Sequence, residues 1–423
     1  MITQQKRCSR RQAVLAGLAA MGGLGILDNL DSGKTLAKDV GTGRGVKEHV
    51  PGHLVAATRD FGFRLLNGLV AGQPDRNVFI SPSSIATALA MTYNGAAGAT
   101  RQAMAATLGL RGMSVGEADQ AYALLAATLH GLDPHVELTI ANSLWSRQNV
   151  PFNPAFVAAL RQYFGATATT LDFADPRASL AINGWVNLRT HGKIARIVPD
   201  RLDPAMILYL INAIYFKGRW TVPFDKGQTR QRPFARSGSG QKVLPMMTRT
   251  DSFPYYRGAG FQGISLPYGN GKWSMVVLLP DASSSLGALH ANLTAGAWDS
   301  WLSQFKPSFG TIVLPRFKVD YTHTLNQALI ALGMGEAFSR QADFSGLTTA
   351  TRARISAVDH AALMEVDEEG ATAAAATAVG IIPTAVRAPG FTLIVDRPFL
   401  CAIRDSTTGT VLFAGSIVDP MPM

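Results

Sequence analysis

A chain of 423 residues, 47% hydrophobic and 16% charged, carries material for a sizeable core, and its length alone allows two or three domains. No Pro/Ser linker, low-complexity break or fixed-period repeat divides it after residue 50, so one large domain is the simpler reading. The formal net charge of +10 is modest, and the clusters Arg189, Lys193, Arg196 and Arg230, Arg232, Arg236 read as dispersed solvated charge, which sets nucleic acid aside as a partner.

Positions 1–37 read as a separate object. Lys6, Arg7, Arg10 and Arg11 precede an uncharged stretch from Gln12 to Leu27, and Thr35-Leu36-Ala37 offers small residues for cleavage. Ser9-Arg10-Arg11 supplies the paired arginines of a twin-arginine export signal, although Ala13 stands where an aromatic residue or Leu is usual. The stretch is too short and glycine-rich to span a bilayer well. Cleavage near Ala37 leaves residues 38–50 as a flexible linker ahead of a domain over 51–423, and the product is expected to be soluble, without a stable membrane span, and periplasmic or extracellular. The leader takes five basic residues with Asp28 and Asp31, so +7 remains of the +10. Cys8 leaves with it. Cys401, inside the apolar run Phe399–Ile403, is then alone and reads as a small buried hydrophobe with no disulfide partner.

Along the domain, residues 51–72 place Leu54, Val55, Phe61, Leu65, Leu66, Leu69 and Val70 at helical spacing. A second helix is predicted after Ser81-Pro82, with Ser81 or Ser83 as its cap, and a third from Ala178 to Thr190. Ile207–Ile211 and Met275–Leu279 are continuous apolar runs of the kind buried on both faces of a sheet. Residues 311–314, 392–395 and 411–414 add further strands, with Gly and Pro between them. Helices gathered early and strands late predict an α+β fold rather than alternating βαβ units.

The segment from Gly370 to Val386 has no charged side chain. At a period of two, Ala371, Ala373, Ala375 and Thr377 fall on one face and Thr372, Ala374 and Ala376 on the other, both small and nearly apolar. Alanine is the best helix former, so residue statistics favour a helix here. Against that stand the closing Val379-Gly380-Ile381-Ile382-Pro383 and the lack of an apolar stripe at i, i+3, i+4. Glu368, Glu369 and Gly370 mark the start of the segment as exposed and flexible.

Enzyme constellations are missing from the sequence. The nearest approach to Gly-x-Ser-x-Gly is Gly263-Ile264-Ser265-Leu266-Pro267, with Pro at the second Gly position. There is no His-Glu-x-x-His, and the eight histidines show no metal spacing. The chain reads as a protein that is not an enzyme and takes no metal or cofactor.

Several separated motifs carry a resemblance. Ile355–Gly370 followed by the alanines resembles the hinge of an inhibitory serpin, a serine protease inhibitor. So do Asn77–Ile85 with Asn94-Gly95-Ala96, Asn212–Trp220, Leu314–Phe317, and Asp396–Leu400 with Leu412–Gly415, in the family's order from about residue 51 to the end. With the export signal, this points to a bacterial member of the inhibitory type. The resemblance implies a serpin fold, with three β-sheets, about nine surrounding helices and an exposed reactive-centre loop at about 368–390. It implies a monomer whose partner is a serine or cysteine protease, held as a covalent acyl-enzyme once the cut loop enters the main sheet.

Carried over residue by residue, the hinge is Glu368, Glu369, Gly370, Ala371, Thr372, Ala373, Ala374, Ala375, Ala376 and Thr377. Ser81, Ser84, Asn183 and His360 match the family's shutter, a polar cluster under the centre of the main sheet, and Trp220 matches the breach where insertion begins. The reactive residue fourteen positions after the hinge glycine is Thr384, so the bond is Thr384–Ala385, with Arg387 the lesser candidate. A small β-branched residue there suits elastase-like or subtilisin-like proteases. Ala371 and Thr372 depart from the Thr or Ser and the Glu common in inhibitory members. A non-inhibitory serpin acting as a carrier or binding module is the alternative.

Overall fold

The computed structural model describes residues 50–129, 133–238, 240–370 and 388–422. The apolar spacing of the first segment forms α1 (Gly52–Gly72), which buries Leu54, Phe61, Leu65, Leu66 and Leu69. A short strand, β1 (Val78–Ile80), leads into α2 (Pro82–Gly95). Ser81 caps α2 by accepting from the Ser84 N–H at 3.3 Å, and Pro82 fills the first helical position, where its missing N–H costs nothing. Helices α3 (Gly98–Leu108) and α4 (Val115–Leu129) follow. Next come β2 (Val136–Arg147), α5 (Pro154–Ala159), β3 (Thr167–Leu171), α6 (Arg177–Arg189) and β4 (Leu208–Gly218).

The second half holds β5 (Arg230–Ala235), β6 (Gln241–Gly258), β7 (Phe261–Tyr268) and β8 (Trp273–Pro280). After them stand α7 (Leu286–Ala291), α8 (Ala295–Ser303), β9 (Lys306–Pro315), β10 (Phe317–Thr324), α9 (Asn326–Leu329) and α10 (Gly335–Phe338). Strands β11 (Ala357–Val366), β12 (Phe391–Ile394), β13 (Phe399–Asp405) and β14 (Val411–Ile417) complete the described chain. Helices α7 to α10 lie among the strands, so the early-helix, late-strand division holds only in outline.

Five strands form the main sheet in the order β10-β11-β4-β2-β3. The remaining nine form the path β1-β14-β13-β8-β7-β6-β9-β12, with β5 added on β6. The eighteen-residue β6 changes partners along its length, pairing with β5 from Gln241, with β9 from Met246 to Tyr255, and with β7 from Tyr255 to Gly258. It thus joins two halves of one hydrogen-bonded surface, and these halves with the main sheet are the three sheets expected.

The main sheet is covered on both sides, which explains the unbroken apolar run at its centre. Along β4 the side chains alternate between two cores. Leu208, Leu210, Ile214 and Phe216 join the large cluster shared with α1, α2 and the second sheet. Tyr209, Ile211, Ala213 and Tyr215 join a smaller one with Ile182, Trp185 and Val186 of α6. Cys401 lies in the large cluster at 1% exposure, where burial pushes its thiol pKa up to about 12 and keeps it an inert hydrophobe. Among the described residues no helix is long and apolar enough to cross a membrane.

Candidate functional site

The main sheet closes at its centre by a parallel ladder between β11 and β4, running from Ala357↔Tyr209 to Met364↔Phe216. Beyond Val366 the chain turns across the end of both strands. The backbone there is held by donors of the segment after β4. The Trp220 N–H reaches the Glu369 carbonyl at 3.1 Å, the Phe224 N–H the Glu368 carbonyl at 2.8 Å, and the Trp220 indole Nε1–H the Asp367 carbonyl at 2.8 Å. Trp220 itself is fixed by stacking on Tyr268, with ring centroids 4.2 Å apart.

Glu368 overturns the expectation of an exposed start. Its side chain is 4% exposed, accepts from the Thr229 hydroxyl at 2.7 Å and lies 3.7 Å from the Arg316 guanidinium. Glu369 pairs with Lys226. Two carboxylates that look solvent-seeking in the sequence are thus drawn inward by partners that lie far away in chain order, namely Arg316, Thr229 and Lys226. Asp367, beside them, has its carboxyl pKa raised by burial and then by the neighbouring glutamates. Gly370 is required by geometry: its φ is +83°, and a Cβ there would stand 2.3 Å from the Trp220 nitrogen and 2.5 Å from the Gly218 carbonyl oxygen.

Under the centre of the same sheet lies a second group. His360 on β11 is fully buried, and burial pushes its pKa down to about 3, so the ring is neutral. Its Nε2 accepts from the Ser81 N–H at 3.3 Å, which leaves the proton on Nδ1 to be donated to Asn212 Oδ1 at 2.6 Å. The Asn212 amide then donates to Ser84 Oγ and to Asn142 Oδ1, each at 2.5 Å. Asn142, Asn212 and His360 occupy one rung across β2, β4 and β11, with His323 of β10 next in line. The sheet cannot open between β4 and β11 without breaking the His360–Asn212 bond.

The structure therefore brings Ser81, Ser84 and His360 together and places Asn183 elsewhere. The Asn183 Oδ1 accepts from the Ile197 and Val198 N–H groups at 2.8 and 3.1 Å, and its Nδ2 donates to the Val198 carbonyl, so it fastens the segment after α6 over the other face of the sheet. Asn212 and Asn142 fill the role not foreseen. Asn212 was detectable as the single amide within the apolar run Leu208–Phe216, whereas Asn142 is identified only by the β2–β4 register that sets it opposite Asn212. The hinge residues Ala371, Thr372, Ala373, Ala374, Ala375, Ala376 and Thr377, the bond Thr384–Ala385 and Arg387 lie outside the described residues, as do positions 1–49.

The basic clusters are engaged locally. Lys193 pairs with Glu365 at 3.6 Å, Arg196 with Asp200 at 3.1 Å and Arg236 with Asp419 at 3.7 Å, while Arg189 lies over the Trp185 ring. Among the described residues no three His, Cys, Asp or Glu side chains stand together to hold a metal ion.

Comparison with known proteins agrees with this architecture. The chain is 34% identical over 370 residues to Iripin-2 of Ixodes ricinus, covering 86% of this chain and 93% of that one. It is 35% identical over 381 residues to the leukocyte elastase inhibitor of Sus scrofa, covering 87% and 99%. The crystal structure of a thermophilic serpin, tengpin, in the native state superposes with a TM-score of 0.81 at 29% identity, covering 91% of this chain and 98% of that one. The family model described as Serpin (serine protease inhibitor) matches residues 56–420, and the chain belongs to the serpin family.

Proposed function

We propose that this chain is an exported, monomeric inhibitor of serine endopeptidases, and of cysteine endopeptidases that accept the same bait, acting as a suicide substrate. The observation that supports this most directly is the parallel β4–β11 ladder with the loop anchored at its end. A chain that leaves Gly370 and folds back along the sheet runs antiparallel to both strands. Wedged between them, it exchanges one parallel ladder for two antiparallel ones, whose pairing is somewhat more stable per residue. The five-stranded arrangement is then a reservoir held by a kinetic barrier.

In this reading a protease cuts Thr384–Ala385 and forms an acyl-enzyme, and insertion outruns its hydrolysis. About fifteen inserted residues at roughly 3.3 Å each carry the attached protease about 50 Å along the sheet. The uncharged, small side chains at Ala371, Ala373, Ala375 and Thr377 meet the need to slide between occupied neighbours without burying an unpaired polar group. The paired arginines of the leader support export, with removal near Ala37.

Incubation with an elastase-like or subtilisin-like protease tests the proposal. An SDS-resistant complex is expected, with a released C-terminal fragment beginning at Ala385. Cleavage without a complex would point instead to a non-inhibitory carrier, and a fragment beginning at Ala388 would move the reactive residue to Arg387.

A further inference from the structure

A cavity of about 310 Å³ lies between the β6–β7 turn, α7 and α8, and it shares no lining residue with the loop anchor or the sheet-centre cluster. Four small residues on these three elements leave it open: Ala259 and Gly260 in the turn, Ala288 on α7 and Ala297 on α8. Gly260 has a φ of +78°, and a Cβ there would stand 3.3 Å from Ser284 Oγ, so the turn is tightest at this wall. Aromatic rings line it too. Phe261 meets Trp301 edge-on with centroids 4.9 Å apart, and Tyr256 meets Phe261 edge-on at 5.9 Å.

No charged side chain lines the cavity, so an ionic ligand would enter it without a counter-charge. Besides the polar tips of Tyr256 and Trp301, two non-aromatic polar side chains line it. Asn292 donates one Nδ2–H to the Ala288 carbonyl at 2.8 Å, which fixes its amide and leaves its Oδ1 as the acceptor a ligand can use, and Ser284 adds a hydroxyl. Ring walls, a size at the lower end of ligand sites, and an acceptor at the rim together define the chemistry that fits.

We propose that this cavity binds a neutral one- or two-ring aromatic molecule carrying a single N–H or O–H donor, of which indole is the simplest probe. The ring stacks among Tyr256, Phe261 and Trp301, and the donor reaches Asn292 Oδ1. The proposal is independent of the inhibitory reading, because the cavity shares no residue with the loop anchor or the β4–β11 ladder.

Fluorine NMR with 5-fluoroindole and the full chain tests it. Saturable binding is expected with a dissociation constant of about 0.1–1 mM, as suits a ligand of roughly ten heavy atoms. N-methylindole, which lacks the donor, should bind several-fold more weakly to the wild type and as tightly as indole itself to Asn292→Ala, a substitution at an exposed position. Ala297→Leu, which fills the cavity, should abolish saturable binding. Unsaturable broadening, or binding that is the same in Ala297→Leu as in wild type, would overturn the proposal. So would equal affinity of wild type for indole and N-methylindole, since the acceptor would then have no part. Should Ala297→Leu not fold, the indole and N-methylindole comparison across wild type and Asn292→Ala decides alone.

Discussion

Replacing Gly370 with alanine tests how tightly the loop is anchored. The new methyl group adopts a left-handed backbone conformation that costs about 1–2 kcal/mol for an L-residue. It also needs room 2.3 Å from the Trp220 nitrogen and 2.5 Å from the Gly218 oxygen, both backbone atoms that no rotamer change can move. The cheapest relief is to lift the 367–370 turn from the Trp220–Phe224 segment. That gives up the three hydrogen bonds from the Trp220 N–H, the Phe224 N–H and the indole Nε1–H, each worth about 1 kcal/mol net. Those bonds are lost on opening in wild type and variant alike, so what shifts the balance is the strain the methyl group adds to the closed anchor; once backbone strain and overlap together reach the roughly 3 kcal/mol of the three bonds, the anchor opens, a change of roughly 10²-fold in population. Hydrogen exchange at the Trp220 and Phe224 amides should accelerate by about the same factor, with exchange in β13 and β14 unaffected. If inhibition proceeds as proposed, stored Gly370→Ala protein should also lose activity faster than wild type. Unchanged protection at both amides would refute the reasoning, because the methyl group would have been accommodated without opening the turn.

Asn212→Ala leaves the His360 Nδ1–H, the Ser84 hydroxyl and Asn142 without their buried partner, and a loss of roughly 2–4 kcal/mol is expected from urea unfolding; a loss below about 0.5 kcal/mol would show that water replaces the amide freely. The His360 pKa of about 3 lies below its unfolded value near 6.5, so the unfolded chain binds a proton that the folded one refuses, and stability falls as the pH drops through this window. Asp119 and Asp359, raised by burial to about 7 and about 6, act oppositely, since the folded chain keeps their protons and loses that advantage as the pH rises. The His360 contribution is therefore read as the difference between wild type and His360→Gln, which should change by at most about 1.4 kcal/mol per pH unit between pH 6 and 4; a flat difference would mean that the ring is protonated in the folded state. Ala375→Arg, placing a charge on the inserting face, should turn an inhibitor into a substrate, read as a rise in the stoichiometry of inhibition; an unchanged stoichiometry would sink the requirement for small side chains.

The strand positions and helix starts were legible because their signals are local. Ser81-Pro82 sets both the cap and the first turn of α2, and the apolar runs of β4 and β8 need cover on both faces wherever they fall. The anchor was misread because its cause is remote. Nothing near Glu368 in the chain announces that Thr229 and Arg316 will enclose its carboxylate, so local composition argued for exposure. Asn183 shows the limit of carrying a role across by position. A polar side chain on a helix facing the sheet has two ways to satisfy its amide, and here the backbone at 197–198 takes it. Asn212 could have been found from the sequence as an amide whose apolar neighbours leave it needing a buried partner.

The pairing of β1 with β14 carries a consequence for how the molecule is made. Val78 sits opposite Ser416 and Ile80 opposite Ala414, and β13 lies between β14 and β8, so the two C-terminal strands of the described chain take interior places in the larger sheet, paired on both sides. A chain emerging from its N-terminus holds α1, β1 and α2 ready for more than three hundred residues before their final neighbour exists. Contacts this far apart slow folding, because the closure entropy is spent before the contact repays it. The main sheet, whose strands all precede residue 367, can meanwhile close in its five-stranded form. Chain order thus favours capture of the arrangement that forms first, and removal of β14 should leave a product that cannot complete its core at all.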